Sequence, residues 1–145
     1  MPEKPALNRK EFLQLFGVGA AAILATTCLG GCSSNSITPA SNVDFSLDVT
    51  DPANADLNNA SKGYVYGWNG AVIVVKTVGG TYLAFQAPCP HEGVKVYFRQ
   101  SQNQLICDRH NSVFSISGAR VSGPAPSGLK EYTVTQTGNT LRITG

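Results

Sequence analysis

Cys89-Pro90-His91 and Cys107-Asp108-Arg109-His110 are the two stretches around which the rest of the chain is organised. They read C-x-H and C-x-x-H, and fifteen residues lie between them. The chain has two histidines, both in these stretches, together with two of its four cysteines. Thiolate sulfur and imidazole nitrogen are ligands that several transition metals prefer. The pattern therefore predicts a metal centre at the tips of two loops, which a short hairpin separates in the sequence.

Two further motifs follow the second histidine. Asn111-Ser112-Val113-Phe114 is similar to an H-G-S-x-[YF] run, and Gly123-Pro124-Ala125-Pro126, with Leu129 shortly after it, is similar to a G-P-A-P proline loop. Together with the C-x-H and C-x-x-H stretches, these motifs resemble the Rieske family over roughly residues 82–145. The resemblance implies a [2Fe–2S] cluster as the cofactor.

The resemblance also assigns the four ligands. It implies that Cys89 and Cys107 bind one iron and that His91 and His110 bind the other. A zinc site remains the alternative, because two cysteines and two histidines are also a zinc ligand set. Zinc sites usually begin with a C-x₂₋₄-C pair, however, and a single residue between cysteine and histidine is unusual for them.

Three residues are expected to surround the cluster and to adjust its potential. The resemblance implies that Ser112 donates a hydrogen bond to a bridging sulfide, and that Pro124 belongs to a loop that covers the cluster. Phe114 stands where the family has a tyrosine whose hydroxyl donates to a cysteine sulfur. Because donors to sulfur stabilise the reduced cluster, one missing donor predicts an intermediate to low potential for the class. Ordinary roles as a loop serine, a core phenylalanine and a surface turn remain open for these residues.

The cysteine count excludes a structural disulfide in the predicted domain. The other two cysteines, Cys28 and Cys32, lie in the amino-terminal segment. Rieske subunits of quinol-oxidising complexes carry an additional cysteine in each ligand loop, and these two pair. The corresponding positions here are Val94 and Arg109, so the chain is similar to disulfide-free Rieske ferredoxins in this respect. The two loops must then be held together by packing and hydrogen bonds.

The amino terminus reads as an export signal. Three basic residues precede an uncharged run over residues 12–29, and small residues dominate its second half. Residues 29–32, Leu-Gly-Gly-Cys, resemble a bacterial lipobox, which predicts a signal peptide over residues 1–31 and lipidation of Cys32. The alternative is an uncleaved membrane anchor, since the run is just long enough to span a bilayer. Residues 8–13 resemble a twin-arginine signal with a lysine replacing the second arginine, so the export route stays open.

Residues 32–42 are rich in Ser, Asn, Thr and Pro and predict a flexible tether. Several acyl chains on Cys32 would hold the protein firmly at a membrane surface. We therefore expect an exported, membrane-anchored lipoprotein that faces the periplasm or the cell exterior.

Residues 43–145 predict one all-β domain. Alternating apolar and polar residues between turn residues predict strands over residues 43–49, 64–68, 71–78, 81–86, 94–100, 104–107, 112–117, 131–135 and 140–144. Asn69-Gly70 predicts a hairpin turn, and the apolar run 72–75 predicts an interior strand. The expected fold is an antiparallel Rieske-type β-sandwich or small barrel, whose cluster-binding subdomain of two loops covers about residues 87–128.

These features predict an electron carrier that has no catalytic activity by itself. No histidine follows His110 to build a second metal site. The expected partners are redox donor and acceptor proteins. After Gly31, eight basic and seven acidic residues leave a charge of about +1, which gives no indication of nucleic-acid binding. Two alternatives remain: a small Rieske subunit of a quinol-oxidising or oxidase complex, and a zinc-stabilised binding module.

Overall fold

The computed structural model describes residues 37–145, and the predicted signal peptide and Cys32 lie outside them. Ten strands form in this part of the chain. They are β1 (Asp44–Asp48), β2 (Tyr64–Gly67), β3 (Val72–Lys76), β4 (Tyr82–Gln86), β5 (Tyr97–Arg99), β6 (Gln104–Cys107), β7 (Ser112–Ser115), β8 (Arg120–Ser122), β9 (Glu131–Thr137) and β10 (Thr140–Thr144). No helix of the described residues has the length and apolar character needed to cross a membrane.

The strands form two antiparallel sheets. The larger sheet has the order β1-β10-β9-β4-β3-β2, and the smaller one has the order β5-β6-β7-β8. Strands β2, β3 and β4 pair as consecutive hairpin strands, and β9 and β10 form the closing hairpin, as the sequence predicts. The smaller sheet is inserted in the chain between β4 and β9, and it carries the predicted cluster-binding loops. The prediction of an all-β antiparallel fold is confirmed.

Strand β3 explains why the run Val72-Ile73-Val74-Val75 is apolar without alternation. It lies between β2 and β4, and all four side chains are fully buried. Ile73 and Val75 belong to the hydrophobic core that also contains both motif cysteines. Val72 and Val74 point to the opposite side of the sheet, into a second core with Leu141 and Ile143. Because successive side chains of a strand point to opposite faces, an interior strand between two cores needs apolar residues at every position.

The larger sheet curls until its two edge strands meet. Phe45 lies on edge strand β1, and its ring occupies the space that a side chain at Gly67 of edge strand β2 would fill. The same ring stacks on Trp68, with the ring centroids 6.0 Å apart. Glycine at position 67 therefore allows the close approach of the two edges.

The structure confirms the hairpin of β2 and β3 but forms its turn differently, and it contains elements that the sequence did not indicate. Residues 68–70 do not form a two-residue hairpin turn: Trp68–Gly70 is a 3-10 helix, in which φ is 51° at Trp68 and 56° at Asn69. A second 3-10 helix covers Pro52–Asn58. Strand β8 has three exposed side chains, so no alternation indicated it.

The last residues of the predicted tether lie against the domain. The carbonyl oxygen of Ala40 accepts hydrogen bonds from Lys130 Nζ at 3.3 Å and from the Tyr132 hydroxyl at 3.0 Å. The side chain of Ile37 lies beside Gly93, and an added Cβ there would be 3.2 Å from Ile37 Cδ1. The domain therefore begins before Val43, and a flexible tether over residues 32–36 stays a prediction outside the described residues.

Candidate metal centre

The first ligand loop leaves β4 and closes on itself by backbone hydrogen bonds. The N–H of Cys89 donates to the carbonyl of Val94, and the N–H of Gly93 donates to the carbonyl of Cys89, each at 2.8 Å. Gly93 has φ of +73°, which favours glycine at this point of the turn. The loop thus directs Cys89 inward and places His91 at the tip.

The second ligand loop is a tight connection between β6 and β7. Cys107 and Ser112 are paired residues at the ends of these two strands. The four residues between them turn the chain, and Asn111 adopts a left-handed φ of 55°, a conformation that asparagine tolerates better than most residues. The turn keeps Cys107 in the core and brings His110 outward.

Both motif thiols are buried in the core below the loops. Cys89 has no exposed surface and Cys107 has 3% exposed, and neither forms a disulfide. Burial raises the pKa of the Cys89 thiol, and the neighbouring Cys107 thiol adds to this, whereas the His91 backbone and the Ser112 side chain lower it by hydrogen bonding. Two buried thiols that share one environment resist ionisation unless a cation compensates the charge.

The two imidazoles lie above the thiols, at the surface. The Nδ1 atoms of His91 and His110 are 3.1 Å apart, and the ring planes are inclined by 76°. The His110 side chain is 38% exposed, and His91 is half-buried. Both rings therefore present the same nitrogen to a common point, as two ligands of one metal ion would.

Ser112 links the strand after the second ligand loop to the proline loop. It is fully buried, and its hydroxyl oxygen accepts a hydrogen bond from the N–H of Ala125 at 3.2 Å. Phe114 is also fully buried, in the same core as Cys89 and Cys107. It has no hydroxyl to donate, so its contribution here is packing.

The proline loop reaches the core through Ala125. This residue is buried in the same core as both motif cysteines, whereas Pro124 is exposed. Gly123 has φ of +89°, and an added Cβ would overlap Ser112 Cα and lie 2.8 Å from the carbonyl oxygen of Asn111. The sequence offered a signal for Gly123, since glycine before proline marks a turn. A lone alanine between two prolines gives no such signal.

Two charged residues at the loop tips, Glu92 and Arg109, lie close together, which the sequence did not predict. Glu92 Oε2 lies 3.6 Å from Arg109 Nε and 3.8 Å from His110 Nδ1. Glu92 follows the first histidine and Arg109 precedes the second, so their interaction joins the two loops. Arg109 stands at one of the positions that the Rieske resemblance assigns to a disulfide. The ligand atoms of His91, Glu92 and His110 lie within 4.8 Å of one another.

The donor set fits a [2Fe–2S] cluster with mixed ligands. Cys89 and Cys107 provide two soft sulfur atoms inside the core, and His91 and His110 provide two nitrogen atoms at the surface. The same four side chains would hold a single zinc ion. When bound, a [2Fe–2S] cluster supplies reversible uptake of one electron. The protein's part is to exclude water from the sulfur side and to keep the imidazole side accessible to a partner.

Comparison with known sequences gives the same class of protein. The family model of the Rieske [2Fe-2S] domain matches residues 49–133, more than half of the chain. The cytochrome b6-f complex iron-sulfur subunit of Chlorobaculum tepidum is 28% identical over 127 residues, which cover 88% of this chain and 70% of the relative. The chloroplastic subunit of the same description from Pisum sativum is 44% identical over 47 residues, covering 32% of this chain and 20% of the relative.

Solved structures show the same fold. The plasma membrane Rieske protein of Synechocystis is 26% identical, with a TM-score of 0.53, and the similarity covers 63% of this chain and 93% of that chain. The ferredoxin of carbazole 1,9a-dioxygenase from Nocardioides aromaticivorans has a TM-score of 0.54 and covers 72% of this chain and 98% of that chain. At 18% identity, the ferredoxin shows the fold alone.

Fold and comparisons therefore define an electron-transfer domain. The chain belongs to the Rieske family, whose domain binds a [2Fe–2S] cluster. The assignment of Cys89, His91, Cys107 and His110 as its ligands remains a prediction that the geometry fits.

Proposed function

We propose that this protein carries single electrons between a donor and an acceptor protein at a membrane surface. It has no catalytic activity by itself. One observation carries the proposal: Cys89 and Cys107 are buried together, while His91 and His110 meet at the surface with their Nδ1 atoms 3.1 Å apart. This arrangement insulates one side of the site and leaves the other open, which suits transfer to a docked partner.

The membrane location rests on the amino-terminal sequence. The lipobox-like Leu-Gly-Gly-Cys at residues 29–32 follows an uncharged run, and Cys32 precedes the first described residue, Ile37, by only five positions. Lipidated Cys32 anchors the domain on the periplasmic or external side. In cells, Cys32→Ala should abolish the incorporation of labelled fatty acid and the cleavage before residue 32, whereas Cys28→Ala should leave both unchanged.

The first test is low-temperature EPR with iron and zinc analysis on the full chain, purified from membranes. The full chain is preferable because residues 37–42 contact the domain. Two irons per chain and a reduced-state signal of low average g establish a histidine-ligated [2Fe–2S] centre. A colourless protein with one zinc per chain, silent in EPR, establishes a zinc-stabilised module instead and overturns the proposal.

The names of the relatives favour a second candidate function. Two of them are iron-sulfur subunits of the cytochrome b6-f complex, so this chain is a candidate subunit of a quinol-oxidising assembly. Phe114, which provides no hydroxyl, and the lack of a second cysteine in each ligand loop, where Val94 and Arg109 stand, count against the high potential that quinol oxidation needs. A measured potential near the upper end of the Rieske range, about +300 mV, would favour the complex subunit. A value near or below zero would favour the separate carrier.

A further inference from the structure

An aromatic face lies beside the first ligand loop. It consists of two groups that meet at the turn after β2: Trp68 stacked on Phe45, and Tyr66 with the cation of Lys95, whose ammonium lies beside Gly70. Tyr66 and Trp68 are 40% and 37% exposed, and they are two of the four large apolar residues that the described chain exposes. The Lys95 ammonium lies 5.0 Å from the centroid of the Tyr66 ring. The Tyr66 hydroxyl donates to the carbonyl of Val96 at 2.8 Å, which fixes the ring in place.

The backbone at the exposed Trp68 adopts an unfavourable conformation. Trp68, Asn69 and Gly70 have φ of 51°, 56° and 83°, so three consecutive residues are left-handed. This conformation is unfavourable for a bulky side chain. Stacking of the Trp68 ring on Phe45 offsets part of this unfavourable conformational energy. An exposed tryptophan in a strained turn indicates a role in addition to packing between the two edge strands.

The described chain begins next to this face. Ile37 packs against Gly93, two residues before Lys95, and the Lys95 ammonium in turn fills the space beside Gly70. Five peptide units connect Cys32 to Ile37, and a fully extended chain of that length spans at most about 18 Å. An acyl group on Cys32 would therefore hold Ile37, and with it this side of the domain, within about 18 Å of the lipid headgroups.

We propose that the aromatic face rests on the lipid bilayer and orients the anchored domain, so that the first ligand loop lies next to the membrane surface. The proposal rests on the anchoring of Cys32 put forward above. Tryptophan and tyrosine are enriched at the headgroup level, where the apolar ring and the polar tip both find a suitable environment. A lysine beside them attracts anionic lipids. The redox partner that this orientation favours is a membrane protein.

The chain allows a direct test, because Trp68 is its only tryptophan. The purified full chain is incorporated into phosphatidylglycerol-containing vesicles, with and without acyl chains brominated near the headgroup. We expect the brominated lipid to quench Trp68 fluorescence severalfold. Lys95→Gln, checked for unchanged iron content, should reduce the quenching in anionic vesicles but not in zwitterionic ones.

A matched variant moves the tryptophan to the other end of the sheet. In the double variant Trp68→Phe and Val78→Trp, phenylalanine keeps the stacking on Phe45. Position 78 is 66% exposed and lies beyond the far end of β3, a strand about 16 Å long. This tryptophan should not be quenched.

Each contrary outcome has a distinct meaning. Equal quenching of both tryptophans, or none of either in protein that has entered the vesicles, overturns the bilayer contact while the anchor stands. Trp68 then serves only to close the sheet or to bind a protein. If the chain does not enter vesicles, the anchor and the bilayer contact both fail, while the EPR spectrum still decides whether the electron carrier stands.

Discussion

The backbone N–H of Ala125 donates to the hydroxyl oxygen of Ser112 at 3.2 Å, and both residues are buried. This bond attaches the proline loop to the first residue of β7, two positions after His110. Because the oxygen accepts from Ala125, the hydroxyl hydrogen remains available for sulfur on the side of Cys89. The proline loop thus orients a donor towards the buried thiols.

Replacing Ser112 with alanine should lower the reduction potential. A hydrogen bond to sulfur stabilises the more negative, reduced state, and if it is about 1.4 kcal/mol stronger in that state the potential falls by about 60 mV. Protein-film voltammetry measures the shift. Ser127→Ala is the matched control, because Ser127 is exposed in the same loop and donates only to the carbonyl of Gly128. An unchanged potential in Ser112→Ala with full iron content would contradict the role of the hydroxyl.

Gly123→Ala should destabilise the folded protein strongly. Its φ of +89° is unfavourable for alanine, and the new Cβ would overlap the backbone of Ser112, which cannot move without shifting β7. We expect a loss of about 3–5 kcal/mol in the free energy of unfolding, measured with urea, and a reduced iron content.

Gly138→Ala is the control for the backbone conformation alone. Gly138 also has a positive φ, +58°, but nothing lies within 4 Å of an added Cβ. The Gly138→Ala variant should lose about 1–2 kcal/mol in the free energy of unfolding. Equal losses at the two positions would show that the contact between the proline loop and β7 does not matter for stability.

The sequence predicted most of the fold, because the relevant signals are local. Alternating apolar and polar residues between glycine-rich turns predicted nearly every strand. The run 72–75, which is apolar on both faces, predicted the interior position of β3. The exposed strand β8 and the 3-10 helix at Trp68 carry no such periodicity. Asn69-Gly70 correctly indicated the hairpin of β2 and β3, but the involvement of Trp68 in its turn depends on stacking against Phe45 from the opposite edge of the sheet.

The candidate site was predictable only where a motif specified it. The ligand spacing identified the two loops, and the structure places the two cysteines in one core and the two histidines side by side at the surface. By contrast, Ala125, the Glu92–Arg109 pair and the contact of Ile37 with Gly93 depend on residues far apart in the sequence. Nothing in their types or spacing distinguishes them from ordinary surface residues. Their roles follow only from the three-dimensional arrangement of the loops.

The ion pair between Asp44 and Arg142 should make stability sensitive to acid. Arg142 donates to both carboxylate oxygens, at 2.9 and 2.7 Å, and this hydrogen bonding lowers the pKa of Asp44. A carboxyl group with a lowered pKa in the folded state stabilises the protein above its ordinary pKa of 3.8, and loses this effect as the pH falls through the lower value. The urea midpoint of Arg142→Gln should therefore lie below that of the wild type near pH 7, and the two should converge as the pH falls below the lowered pKa of Asp44.

Asp44→Asn provides the control for this ion pair, which joins edge strand β1 to β10. It should lower the midpoint near pH 7 to a similar degree, and the double variant should lose no more than either single variant. A difference between Arg142→Gln and the wild type that persists unchanged in acid would mean that Arg142 acts by packing rather than by charge.

Glu92→Gln should raise the reduction potential, because it removes a negative charge 3.8 Å from His110 Nδ1. Arg109→Gln should lower it, since the cation 3.6 Å from Glu92 favours the reduced state. Both side chains are about half exposed, so we expect shifts on the order of 40 mV at low ionic strength that shrink as salt screens them. Voltammetry at two salt concentrations measures this, with Glu131→Gln on β9 as the control of equal charge change. Shifts of the same sign in Glu92→Gln and Arg109→Gln would show that the pair acts on loop geometry instead of on charge.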